Sequence, residues 1–88
     1  PPTAEGHVML SVDVDVIDQS YAPGVSAPTV GGLEQQLLIE MMYEAGATAA
    51  VSSIDLVEVN PLVDEGGRTV RLAARLAWGF LRGFAERL

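Results

Sequence analysis

The residues of this sequence best suited to chemistry are carboxylates that lie at the ends of apolar runs. Asp13 and Asp15 belong to the run Ser11–Asp18, in which apolar residues alternate with acidic ones. Alternate side chains of an extended strand point to the same face, so we expect the two carboxylates side by side, with their Cβ atoms roughly 7 Å apart. At that separation they would not share a proton, but they could hold metal ions from one side. The alternative is a solvated strand end without a function.

A third carboxylate, Glu58, stands near the end of a second apolar stretch, residues 47–59. A strand, a crossover helix and a parallel neighbouring strand bring the carboxyl ends of both strands to one edge of a sheet. The sequence therefore predicts that Glu58 lies on the same rim as Asp13 and Asp15. Open α/β sheets bind their ligands at this edge.

The elements that must position these acids follow from periodicity and turn residues. We predict a strand over 7–16, a long ordered loop over 17–32, a helix over 33–45, a strand over 47–59, an acidic loop over 62–67 and a helix from 69 to about 86. Gly46 is expected just after the first helix, and Thr69 is expected to cap the second. The predicted order is βαβα with a parallel sheet.

Both predicted helices carry an apolar face. The faces comprise Leu33, Leu37, Leu38, Met41 and Ala45 in the first helix and Leu72, Ala73, Leu76, Ala77, Phe80 and Phe84 in the second. Arginines occupy most of the opposite side of the second helix, and packing on the sheet is favoured there over binding to a membrane or to calmodulin. Trp78 is out of step with the apolar face and is interpreted as a candidate subunit contact.

Composition excludes several classes of function. The net charge is −7, with twelve acidic residues, five arginines and no lysine, so we expect no binding to nucleic acid. The absence of cysteine excludes disulfides and zinc–thiolate sites and is compatible with a reducing cytoplasm. No apolar run approaches the ~18 residues that span a bilayer, so we expect no membrane segment.

Two further polar residues have simpler interpretations. His7, the single histidine, begins the first strand and is expected far from the carboxylates at its other end. Asp18 is either a third metal ligand or the cap of a turn, and we favour the cap because aspartate readily binds the backbone of a following turn.

Several short motifs occur together in this chain. They are Ser-x-Asp-x-Asp-x-x-Asp at 11–18, Ala-Pro-Gly at 22–24, a proline at 28, Gly-Gly-Leu at 31–33 and Glu-Val-Asn-Pro at 58–61. In this order and at these intervals they resemble the ureohydrolases, a family of metal-dependent hydrolases that includes arginases, agmatinases and formimidoylglutamases. The resemblance implies a three-layer α/β/α fold with a parallel sheet, to which this chain contributes a C-terminal βαβα portion.

The resemblance also implies that part of the site lies elsewhere. The family takes other metal ligands from earlier motifs, a histidine after a Gly-Gly turn and Asp-Ala-His-x-Asp, and neither motif occurs in this sequence. We therefore expect residues 1–88 to be the C-terminal part of a single arginase-like metallohydrolase domain. The remainder of the same polypeptide is then its first partner, and a homo-oligomer in the cytoplasm is expected.

Roles for the three acids follow from the same resemblance. Asp13 matches an aspartate that bridges two manganese ions, and Asp15 matches one that binds the second ion. Glu58 matches the acid that arginases direct at the guanidinium group of the substrate. Hard oxygen ligands suit Mn²⁺, and two adjacent ions lower the pKa of water. No residue of this chain is assigned as the general acid.

The substrate is expected to be a small linear amidine. Gln19 and the pattern of residues 18–28 resemble formimidoylglutamases of histidine breakdown, which convert N-formimidoyl-L-glutamate and water to glutamate and formamide. An agmatinase or arginase-type guanidino hydrolase that releases urea is the alternative, because Glu-Val-Asn-Pro is shared across the family. An alternative of another class is a non-catalytic fragment or partner subunit.

Overall fold

Two parallel strands and two α-helices account for most of the chain. A computed structural model describes residues 7–25, 27 and 29–87. The elements are β1 (Val8–Asp13), α1 (Gln35–Ala47), β2 (Val51–Val57) and α2 (Arg68–Ala85), and short 3₁₀ turns at Val14–Val16 and Pro61–Val63 follow the two strands. This order confirms the predicted βαβα arrangement and the parallel sheet.

The register of the sheet brings the ends of the two strands together. Asp13, the last residue of β1, pairs with Val57, the last residue of β2. Alternate residues of β1 point into the core, whereas the intervening Met9 is 61% exposed. The sequence predicted apolar cover on both faces of β1, and within residues 7–25, 27 and 29–87 only one face is covered.

Strand β1 ends three residues earlier than predicted. The Asp13 carboxylate accepts a hydrogen bond of 3.1 Å from the Asp15 N–H and so caps the turn Val14–Val16. Aspartate side chains compete in this way with the ladder bonds of a strand. The turn places Val14 in the core, where it is fully buried.

Helix α1 begins and ends two residues later than predicted. The Glu34 carboxylate accepts hydrogen bonds from the N–H groups of Gln36 and Leu37, and thereby caps its first turn. The predicted apolar face is partly wrong, since the buried residues are Leu38, Met42 and Gly46. The predicted core residues Leu37 and Met41 are instead 47% and 51% exposed.

Helices α1 and α2 touch through their backbones. Gly46 lies inside α1 and does not follow it, contrary to prediction, and a Cβ built on it would stand 2.0 Å from the Phe80 carbonyl oxygen. A Cβ on Gly83 would stand 2.0 Å from the Tyr43 carbonyl oxygen. Glycine is required at both positions because no side chain fits between the two backbones.

The first turn of α2 is capped by Asp64 and not by Thr69 as predicted. The Asp64 carboxylate accepts hydrogen bonds from the N–H groups of Thr69 (2.9 Å) and Val70 (3.0 Å). A carboxylate is favoured there because the helix amino terminus carries partial positive charge. The N-cap residue is Gly67, which has a left-handed backbone with φ of 75°.

The core joins both strands, both helices and the loop after β1. Its buried apolar residues are Val12, Val14, Ile17, Ala22, Val25, Leu38, Met42, Val51, Leu72, Leu76 and Phe80. Most of the predicted face of α2 is therefore confirmed, although Phe84 is 41% exposed. Burial of one such aliphatic or aromatic side chain contributes about 1.5–3 kcal/mol.

Arg87 fastens the end of α2 to the connection between α1 and β2. Its guanidinium group donates hydrogen bonds of 2.6 Å to the carbonyl oxygens of Gly46 and Val51, and a third to that of Thr48. The bond to Gly46 satisfies a carbonyl group that the end of α1 would otherwise leave without a partner.

The loop over 17–32 is held by its own hydrogen bonds, as the prediction of an ordered loop requires. The Asp18 carboxylate accepts bonds from the Ser20 N–H (2.9 Å), the Ser20 hydroxyl (2.7 Å) and the Gly31 N–H (2.7 Å). The backbone hydrogen bonds of Ser20 and Gly31, together with the Ser20 hydroxyl, lower the pKa of Asp18. These contacts support the capping interpretation of Asp18.

No helix in the described part of the chain is both long and apolar enough to cross a membrane.

We expect Gly83→Ala to destabilise the fold strongly. The added methyl group would overlap the Tyr43 carbonyl oxygen, and overpacking of this kind costs about 3 kcal/mol where backbone must move. The free energy of unfolding, measured by urea denaturation of the polypeptide that carries this chain, reports the effect. Gly79→Ala is the matched control, because its nearest contact would be 3.3 Å and the better helix propensity of alanine offsets the crowding. Equal losses in both variants would contradict the close helix contact.

We expect Asp18 to make stability depend on pH in the acid range. Its pKa is lowered in the folded protein, so its contribution is fully present above the unfolded pKa of about 3.9 and is lost as the pH falls through the lower folded value. Asp18→Asn should therefore be less stable than the wild type at pH 7, and the difference should shrink as the pH falls below about 4. Urea unfolding at a series of pH values measures it, and a difference constant with pH would contradict the assignment.

Candidate metal and substrate site

Three carboxylates meet at one rim of the sheet, as the sequence predicted. Asp13 ends β1, Asp15 lies in the following turn, and Glu58 directly follows β2. The parallel pairing of Asp13 with Val57 brings these segments together. Asp13 and Glu58 are exposed and Asp15 is partly buried, so the rim is accessible.

The carboxyl groups of Asp13 and Asp15 lie closer than the sequence predicted. A hydrogen bond between the two side chains is the main cause that raises the pKa of Asp15. Partial burial and the negative charges of Asp13 and Glu58 raise this pKa further. The expected Cβ separation of about 7 Å assumed an extended strand, and the 3₁₀ turn at Val14–Val16 replaces that strand here. Like charges this close favour a cation between them.

Glu58 is held in an unusual backbone conformation. Its φ is 73°, in the left-handed region, and among the described residues it is the non-glycine residue with positive φ. Side chains at such positions cost about 1–3 kcal/mol and persist where the surrounding structure fixes them. This strained backbone was not predicted from the sequence.

The loop over 17–32 supports the rim from behind. The Thr29 hydroxyl donates a 2.8 Å hydrogen bond to the Asp15 carbonyl oxygen. The Gly24 carbonyl oxygen accepts a 2.6 Å hydrogen bond from the N–H of Asn60, two residues after Glu58. These roles of Thr29 and Gly24 were not predicted from the sequence, although Gly24 belongs to the Ala-Pro-Gly motif.

The rim fits part of a manganese site. Asp13 and Asp15 provide adjacent hard oxygen ligands, the donors that Mn²⁺ prefers in octahedral coordination. Across residues 7–25, 27 and 29–87, no group of three histidine, cysteine, aspartate or glutamate side chains is arranged to hold a metal ion. The two aspartates therefore fit the chemistry of the metal but supply only part of its coordination shell.

Other polar groups lie outside this rim. His7 precedes β1 and is exposed, at the opposite end of the strand from Asp13, as predicted. A cavity of about 420 Å³ between α1 and α2 is lined by Arg68, Arg71 and Arg75 and contains none of the three acids. A second cavity of about 390 Å³ runs along β1, is lined mainly by apolar residues and reaches Asp13.

Comparison with known proteins identifies relatives of this chain. The sequence profile described as the Arginase family matches residues 2–82. A formimidoylglutamase of Halobacterium salinarum is 45% identical over 78 residues, which cover 88% of this chain and 25% of that protein. The chain thus spans about a quarter of the length of the curated relatives that it matches.

Solved structures show the same arrangement. The crystal structure of Trypanosoma cruzi formiminoglutamase with Mn²⁺ superposes with a TM-score of 0.89 at 39% identity, over 96% of this chain and 29% of that one. An arginase of Bacillus subtilis superposes with a TM-score of 0.80 at 35% identity, over 85% of this chain and 26% of that one. The α/β arrangement with a parallel sheet is therefore that of arginase-fold proteins. With the profile match over residues 2–82, this likeness shows that the chain belongs to the arginase family.

Proposed function

We propose that this chain forms part of a manganese-dependent hydrolase of linear amidines, of the formimidoylglutamase type. The observation that carries the proposal is the convergence of Asp13, Asp15 and Glu58 on one rim, through the register of β1 and β2. The formiminoglutamase of Trypanosoma cruzi, crystallised with Mn²⁺, shares this fold. The formimidoylglutamase of Halobacterium salinarum adds sequence support.

Asp13 and Asp15 are the proposed manganese ligands of this chain, and two ions occupy the complete site. Manganese, when bound, provides a nucleophile near neutral pH by lowering the pKa of water. The Asp13 carboxylate also caps the turn that carries Asp15, so one side chain fixes the position of the other ligand. The Thr29 hydroxyl also holds the backbone of Asp15, by a hydrogen bond to its carbonyl oxygen.

Glu58 is the proposed substrate-binding residue. A protonated amidine is a planar cation with N–H donors, and a carboxylate pairs with such a group through charge-assisted hydrogen bonds. Glu58 adjoins Asp13 through the parallel pairing and is near enough to Asp15 to affect its pKa. Its carboxylate can therefore orient the amidine carbon toward the metal ligands. The group that protonates the leaving amine is not assigned to this chain.

The remaining ligands are proposed to come from other segments of the same polypeptide. The outward face of β1 includes Met9, which is 61% exposed, and the groove beside β1 is lined by Leu33, Leu38 and Met41. Such apolar surface is suited to further strands and helices of a three-layer domain. On this proposal residues 1–88 are one portion of that domain.

The exposed surface of α2 and the composition of the chain bear on assembly and location. Trp78 and Leu81 of α2 are 57% and 54% exposed, and we propose this surface as a contact in a homo-oligomer. The absence of cysteine and the net charge of −7 suit a cytoplasmic enzyme acting on a small molecule, without nucleic acid or membrane as a partner.

The metal assignment predicts a coupled loss of manganese and activity. Asp13→Asn and Asp15→Asn, made in the complete polypeptide, should each lower manganese affinity and amidine hydrolysis by at least about 100-fold, because loss of even an outer-shell partner costs 10–100-fold. Bound metal is measured by elemental analysis after dialysis. Urea unfolding of the metal-free protein should change little.

Asp55→Asn is the matched control for the metal assignment. Asp55 is an exposed carboxylate in β2, three residues before Glu58, and its loss should leave bound manganese unchanged. If Asp13→Asn retains full metal and activity, the assignment is wrong. If the assembled wild-type protein binds no manganese, the non-catalytic alternative is correct.

The substrate assignment predicts which product is released. The manganese-loaded complete polypeptide should convert N-formimidoyl-L-glutamate to glutamate and formamide, and should release at least about 100-fold less urea from agmatine or arginine at equal concentration. Formamide and urea are quantified by chromatography. Urea release from a guanidino compound, with N-formimidoyl-L-glutamate left intact, would favour the guanidino hydrolases over this proposal.

A further inference from the structure

Gly24 links the loop to two distant parts of the chain through its backbone. Its N–H donates a 2.7 Å hydrogen bond to the Thr69 hydroxyl oxygen, 45 residues away in α2. Its carbonyl oxygen accepts a 2.6 Å bond from the N–H of Asn60, just after β2. The first turn of α2 is thereby connected, through one peptide segment, to the end of the strand that carries Glu58.

Asp64 lies next to the buried Thr69 and accepts its backbone N–H. Thr69 is fully buried, its hydroxyl oxygen accepts the Gly24 N–H, and the hydroxyl is close enough to the Asp64 carboxylate to help lower the pKa of that group. The same carboxylate accepts the N–H groups of Thr69 and Val70. Burial would by itself raise the pKa of Asp64, but these hydrogen bonds outweigh it and the pKa is lowered. Because the hydroxyl is fully buried, bonded to the Gly24 N–H and next to a carboxylate, its orientation is restricted and the contact with Gly24 is held in place.

The loop also packs directly against Asp64. A Cβ built on Gly24 would lie 2.5 Å from the Asp64 Cβ, so the peptide approaches the side chain as closely as glycine permits. Next to it, Val25 is 2% exposed and forms an antiparallel bridge with Val59. Both residues that follow Glu58 are consequently held by the loop.

Glu58 is thus anchored on both sides of its left-handed backbone. Val57 pairs with Asp13 in the sheet, and Val59 and Asn60 are held by Val25 and Gly24. A non-glycine residue with φ of 73° keeps that conformation only where its neighbours over-determine it. The anchor after Glu58 depends on Gly24, whose own position depends on Thr69.

We propose that Thr69 and Asp64 are positioning residues for Glu58. They hold Gly24 in place, Gly24 and Val25 hold the segment that follows Glu58, and the strained backbone of Glu58 then directs its carboxylate at the substrate. This inference rests on the proposed role of Glu58 in binding the amidine. It assigns a function in substrate binding to two residues that lie outside the rim of acids.

The test compares Thr69→Val with Thr69→Ser in the complete, manganese-loaded polypeptide. Valine keeps the shape of threonine but removes the hydroxyl, whereas serine keeps the hydroxyl. We expect Thr69→Val to raise KM for N-formimidoyl-L-glutamate about 10-fold, with kcat changed less than about 3-fold. Thr69→Ser should stay within about 2-fold of the wild type, and bound manganese should be equal in all three proteins. Equal KM values for the valine and serine variants would overturn the inference.

A double-mutant cycle with Glu58→Gln tests whether Thr69 acts through Glu58. If it does, adding Thr69→Val to Glu58→Gln should raise KM by no more than about 2-fold, because the carboxylate that Thr69 positions is already gone. Independent effects, in which the two increases in KM multiply, would show that Thr69 has only a general structural role and would refute the inference.

The experiments distinguish failure of the proposed role of Glu58 from failure of the proposed role of Thr69 and Asp64. If Glu58→Gln leaves KM unchanged, the proposed role of Glu58 is wrong and the inference falls with it. If Glu58→Gln raises KM and Thr69→Val does not, the positioning role alone is wrong. Asp64→Asn provides a second variant if Thr69→Val does not fold, since it removes the charge at constant size. The same non-additive rise in KM is expected for it, and an additive rise would refute the inference.

Discussion

The pairing of Asp13 with Val57 is the constraint on which the rest of the structure depends. A parallel register fixes which residues leave the sheet at the same level, and a shift by one residue would turn every side chain to the other face. With this register, the turn after β1 and the residue after β2 emerge side by side. The carboxylates of Asp13, Asp15 and Glu58 therefore share one rim, although they are up to 45 positions apart in the sequence.

The same rim combines electrostatic repulsion with backbone strain, two unfavourable features that an ordinary sheet edge does not have. Asp13 and Asp15 lie close enough for one to raise the pKa of the other, and Glu58 occupies a left-handed backbone. Structural charges are normally paired and strained residues are uncommon, so both features together are typical of functional sites. The surrounding loop supplies the restraint, since Thr29 and Gly24 bond to the backbone near each stressed residue.

The local pattern of apolar, acidic and turn residues predicted the strands, the helices and the rim of acids. The features that it did not predict depend on contacts between segments that are distant in the sequence. The βαβα order and the core residues Leu72, Leu76 and Phe80 follow from apolar periodicity, which survives in the fold. Gly46 allows close contact with the backbone of Phe80 in the other helix. The Thr69 hydroxyl binds the N–H of Gly24, which lies 45 residues earlier in the chain. No local signal records such partners. The Asp13 cap of the turn is a local interaction, but the same residues also fit the alternating pattern of an extended strand.

The two-stranded sheet has a consequence for how the chain behaves during synthesis. In the part of the chain that the structure describes, β1 and β2 pair only with each other, so each presents a row of backbone N–H and C=O groups along its outer edge. Unpaired edges of this kind recruit whatever strand is nearby, including strands of other molecules. The exposed side chains of Met9 and Val57 add apolar surface next to these unpaired edges, which favours association further. Any strand that covers one of these edges would thus protect the chain from self-association.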